Sequence, residues 1–85
     1  MKELTREDIV NAANEMRFFE KMRFMNYLAK LIDCKKSGLM AGLASSMVLD
    51  EAREDFIKNK LSRKTYHMLK DFSTMKADEI NAIFK

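Results

Sequence analysis

The chain has 85 residues, 47 % of them apolar and 34 % charged, with a net charge of +3. That length allows one domain with a modest core, and that balance excludes a disordered chain. A single cysteine, Cys34, excludes an intramolecular disulfide and a multi-cysteine zinc site, so a reducing cytoplasm is the expected compartment.

The polar start from Met1 to Asp8 is unlike an apolar secretory signal, and no stretch approaches the roughly 20 apolar residues of a membrane span. There is no proline, and the two glycines are Gly38 and Gly42. Without the punctuation that separates short strands, the expected fold is all-α. The pattern predicts one domain over 1–85, a small bundle of four to five helices in which one long N-terminal helix is followed by short ones.

The long helix is expected at about 5–36. Thr5 caps its first amides, Asp8 stands at the reciprocal position, and Leu4 can staple onto Ile9. Lys35 and Lys36 suit its C-terminus, and Gly38 can close it in the left-handed conformation. Two apolar rows run along it. Ile9, Ala13, Met16, Phe24, Leu28 and Leu31 form one, and Phe18, Met22, Met25, Ala29 and Ile32 form the other, leaving Arg23, Asn26, Lys30 and Asp33 as the polar strip. Two apolar stripes need two packing partners, and in so short a chain the second can be another molecule. An unbroken helix of about 45 Å would also overhang a globule about 30 Å across, so it must bend around Asn14 to Arg17 or be covered by a partner.

The uncharged segment Ser37 to Leu49 predicts a short buried helix at about 38–47, with Leu39, Leu43 and Met47 in register. A third helix is expected at about 47–58, with Val48, Ala52, Phe56 and Ile57 inward. Its Asp50, Glu51, Glu54 and Asp55 would then sit in its first half, where carboxylates suit the helix dipole. Asn59 tolerates a left-handed turn, Ser62 caps the next helix at about 63–72, and Leu61 can staple onto Tyr66. That helix should bury Tyr66, Leu69 and Phe72, with Met68 at its edge. Ser73 and Thr74 are expected to close it and cap a last helix at about 75–84, with Ala77, Ile80, Ile83 and Phe84 inward.

No residue pattern carries a reaction. His67 is the only histidine, no nucleophile lies near it in sequence, and glycine-rich phosphate loops and paired metal ligands are missing, so no enzyme, metal or cofactor is expected. Binding remains. Met16, Phe18, Phe19, Met22, Phe24 and Met25 fall within ten positions, an adaptable apolar surface edged by Arg17, Lys21 and Arg23, whose stems can cover apolar atoms. The expected function is that of a small non-enzymatic regulator or adaptor. It would bind protein through Phe18, Met22, Met25, Ala29 and Ile32, with a second copy as the first choice of partner because two-fold homodimers are the commonest closed assembly.

The alternative is DNA. Residues at about 50–72 resemble a helix-turn-helix, with Lys60, Arg63, Lys64, His67 and Lys70 as the reading or phosphate-contacting set. Basic residues also outnumber acidic ones seven to three over 58–85. Phe56 falls near the place usually held by a small residue, and Lys60 stands where glycine is frequent. A membrane surface ranks third, because Glu15, Glu20 and Asp33 dilute the positive face.

Overall fold

The computed structural model describes residues 4–36, 41–75 and 77–83, and all regular structure among them is helical. Five helices follow in order: α1 (Arg6–Glu15), α2 (Phe18–Lys36), α3 (Ala41–Ile57), α4 (Arg63–Thr74) and α5 (Ala77–Ile83). They enclose one core in a body of 32 × 26 × 23 Å with a radius of gyration of 12.2 Å.

The long N-terminal helix is not continuous. Met16 takes an extended conformation (φ −80°, ψ 148°) and its amide bonds back to Ala13, after which the Lys21 amide bonds to the Arg17 carbonyl and α2 begins. No proline or glycine marks this break. The gain is tertiary: an unbroken helix would outrun the 32 Å body, whereas the turn at Met16 and Arg17 folds α1 back so that Ile9 and Ala13 enter the same core as Phe24, Leu28 and Leu31. The start of α1 follows the sequence. The Asp8 amide donates to Thr5 Oγ1 and the Thr5 amide donates to Asp8 Oδ2, both at 3.1 Å.

The two helices expected over 38–47 and 47–58 are one, α3, from Ala41. Leu43 and Met47, expected inward, are exposed; Val48 and Ala52 are buried as their spacing predicts, and Ser45 joins them on that face. The four carboxylates consequently fall in the C-terminal half of α3, where the dipole does not favour them. α2 answers two of them. Lys30 pairs with Glu51 at 3.2 Å, and Arg23 lies 4.0 Å from Asp55, which also accepts a hydrogen bond from the Tyr27 hydroxyl. The polar strip of α2 is thus its edge against α3. Ile57, also expected inward, is 67 % exposed. Gly38, Leu39, Phe84 and the side chain of Ala77, on which expectations also fell, lie outside the described residues.

α3 ends as Asn59 allows. Its φ of 62° is the left-handed conformation, and the Lys60 amide bonds to Asp55 O while the Asn59 amide bonds to Phe56 O, the paired contacts of a Schellman closure. Ser62 then caps α4, its hydroxyl accepting from the Thr65 amide. Leu61 and Leu69 are buried, Tyr66 and Met68 half-buried, and Tyr66 stacks on Phe56 with ring centres 5.3 Å apart.

Ser73 and Thr74 do not cap α5. Both are helical, and their hydroxyls donate back to Lys70 O and Asp71 O, while the Met75 amide takes Phe72 O. Another carbonyl of this end, Ser73 O, accepts from Lys35 Nζ. At the other end of α4, Glu20 Oε2 accepts from the Ser62 amide. Residues 20 and 35 lie about 22 Å apart along α2 at the standard rise, close to the length of α4. The two helices therefore run side by side in the same direction, with α2 supplying an anion to the positive end of α4 and a cation to its negative end.

Candidate protein interface

α2 has two unlike sides. Phe24, Tyr27, Leu28 and Leu31 are buried against α3 and α4. On the opposite side, Phe18, Met22 and Met25 are 68 %, 55 % and 50 % exposed, and Ala29 is exposed with them. At 100° per residue these four fall within one 60° strip of the helix surface, pointing away from α3. Ile32, placed in the same row by its spacing, is half-buried and packs against the core, so it belongs to the domain side of the strip. Arg23 does not edge the strip either, because Asp55 draws it towards α3.

Phe19 is a member that spacing alone leaves out. It is 71 % exposed, and its ring lies edge-to-face on Phe18 at 5.5 Å, which folds it onto the strip although its position is a step round the helix. Two phenylalanines and two methionines at this exposure present roughly 500 Å² of apolar surface, at the upper end for the largest patch on a monomer. Val10, Leu43, Met47 and Ile57 are the other large exposed apolar residues described.

The basic set falls elsewhere. Lys60, Arg63, Lys64, His67 and Lys70 are all exposed. Lys64 reaches Glu15 of α1 at 3.5 Å, across a shallow groove of about 250 Å³ between α1 and α4 whose walls include Met16, Glu20 and Thr65. Arg63, His67 and Lys70 occupy the face of α4 turned away from that groove.

The acidity of Tyr27 is clearly moved. Burial pushes its phenol well above the ordinary value, the hydrogen bond to Asp55 and the charges of Asp55 and Glu51 push the same way, and Arg23 opposes them. The Tyr27 Oη to Asp55 Oδ2 distance is 2.5 Å. This arrangement holds α2 to α3 and opens onto no cavity among those described. Among the described residues no three His, Cys, Asp or Glu side chains come together as a metal site, and no helix is long and apolar enough to cross a membrane.

No protein-family model matches the chain, and comparison with curated proteins and with solved structures gives no significant match.

Proposed function

We propose that this protein is a non-enzymatic regulator or adaptor of the cytoplasm that works by binding protein through the outer face of α2, and that the first partner is a second copy of itself. The observation that carries the reading is the strip Phe18, Met22, Met25 and Ala29 with Phe19 folded onto it, left exposed on the helix that organises the rest of the domain. Such a patch in a small monomer is more than the scatter of single surface apolar residues, and covering it removes apolar area from water.

Light scattering on a sizing column tests this directly. The native protein is expected at twice the 10.0 kDa chain mass, and Met22→Glu with Met25→Glu at the mass of one chain with its helical circular dichroism intact. A native mass of one chain removes self-association from the reading. Loss of helicity in the variant would place the two methionines in the domain's own packing.

The second reading, a DNA-binding regulator built on residues 50–72, draws support from the exposure of Lys60, Arg63, Lys64, His67 and Lys70 beside a closed turn at Asn59. It is the weaker of the two. Both ends of α4 are tied to α2, and the groove side of α4 carries Lys64 on Glu15, so α4 is built as an internal wall of the domain with only one basic edge outward.

A further inference from the structure

The strip on α2 has an internal symmetry. From N- to C-terminus it reads Phe18, Met22, Met25, Ala29, a 4-3-4 spacing that is the same in either direction about a point midway between Met22 and Met25. Size is not symmetric: the largest side chain stands at one end and the smallest at the other. A two-fold axis through the midpoint brings two copies of α2 together antiparallel. It sets Phe18 of one copy against Ala29 of the other at both ends, and Met22 against Met25 in the middle. Large then meets small, and the flexible thioethers meet each other, which is how two helix surfaces fill the space between axes 8–10 Å apart. Parallel pairing instead sets Phe18 on Phe18 and Ala29 on Ala29, crowding one end and leaving a gap at the other.

We propose that α2 pairs with α2 of a second copy, antiparallel and in this register. The proposal rests on the self-association put forward above and supplies its geometry. An isologous contact makes the same residues meet in exchanged roles, and the size order of this strip, Phe18 at one end and Ala29 at the other, complements itself when the second helix runs antiparallel. Area permits the choice: at full burial two such faces, Phe19 included, remove roughly 1,000 Å², the lower bound for a specific though reversible contact. Phe19, lying on Phe18, widens the contact at each end.

Cross-linking tests the register. In a Cys34→Ser background, Phe18→Cys and Ala29→Cys proteins are mixed and treated with a short bis-maleimide, and each is also treated alone. The mixture is expected to give several-fold more cross-linked dimer than either protein alone, with both variants in the linked species by mass spectrometry. Self-linking of Ala29→Cys that equals or exceeds the mixture means parallel pairing and overturns the proposal. Should Phe18→Cys weaken association, Ala29→Cys treated alone still reads the orientation, because antiparallel pairing keeps its two introduced thiols about 16 Å apart along the helices and parallel pairing brings them together. The Cys34→Ser parent is sized by light scattering in parallel. A dimeric mass without the 18–29 link, or with strong self-linking of Ala29→Cys, overturns the register alone, and a monomeric mass overturns self-association and the register with it.

Discussion

The two sides of α2 are built from the same kinds of residue and do opposite things. Inward, Phe24, Leu28 and Leu31 are buried, and the polar groups beside them are all engaged: Glu20 at the start of α4, Lys35 at its end, Arg23, Tyr27 and Lys30 on the carboxylates of α3. Outward, Phe18, Phe19, Met22 and Met25 stand at half exposure or more. Apolar residues alone do not tell the sides apart. What differs is the company of charged groups that fix where the neighbouring helices go. A helix whose inner edge carries position-specific charges has its own domain as partner on that side, and a bare apolar strip is left for something else.

The strongest way to break the inner side is to remove the clamp on α4. Glu20→Gln with Lys35→Met keeps both side-chain volumes close to native while deleting the two charges. Hydrogen bonds to charged groups contribute about 1.5–3 kcal/mol each, and both side chains are only half-buried, so the double variant should lose about 2–4 kcal/mol in urea unfolding. Its mass in solution should match that of the native protein while it remains folded. A loss under about 0.5 kcal/mol would mean that Leu69 and Phe72 hold α4 without help from its ends.

A smaller effect sharpens the seam with α3. Folding raises the Tyr27 phenol above its unfolded value of about 10, so the unfolded chain releases that proton first as pH rises. The stabilisation is therefore complete below about pH 10 and declines as pH climbs towards the folded value, by about 1.4 kcal/mol at pH 11. Tyr27→Phe has no such proton, and Arg23 still faces Asp55 in it. Urea midpoints at pH 8 and pH 11 should converge for the two proteins, with the native one falling further. Parallel loss in both would show that Tyr27 ionises freely in the folded state.

Much of the inner side was legible in the residues. The capping box at Thr5, the left-handed Asn59, the cap at Ser62 and the buried row through Phe24, Leu28 and Leu31 all follow from local chemistry or helical period. What was not legible depends on contacts distant in sequence. Length required either a bend around Asn14 to Arg17 or a covering partner, but no proline or glycine chose between them, and the break at Met16 exists because α1 gains by folding back. Ser73 and Thr74 looked like a cap for α5 because nothing in the sequence announces that Lys35 will reach Ser73 O and that α4 will run on to meet it. The first part of α3 failed for a related reason: with 38–47 read as a separate helix, Leu43 and Met47 fell inward, whereas the long α3 carries the buried face of Val48 and Ala52 back to Ser45. On the strip, spacing picked out Phe18, Met22, Met25 and Ala29, but Ile32 sits at its buried edge. Phe19 joins through a ring contact that no periodicity encodes.

The smallest expected effect bears on the outer side. Phe18→Ser with Phe19→Ser removes two large side chains, and in a core that change would cost several kcal/mol for each ring. Here both residues are about 70 % exposed and their rings lie against each other, so little burial is lost on the domain side. Serine is a slightly poorer helix former than the best residues, but the pair stands at the first two positions of α2, where propensity weighs least. Measured at a dilution where the protein is monomeric, unfolding free energy should shift by less than about 0.5 kcal/mol, as for an ordinary surface substitution. At higher concentration the native protein should gain stability through mass action and the variant should not, so the two curves separate only as concentration rises. A loss above about 2 kcal/mol in the dilute monomer would mean that the rings hold α2 to its own domain, and the two sides of the helix would no longer be distinct.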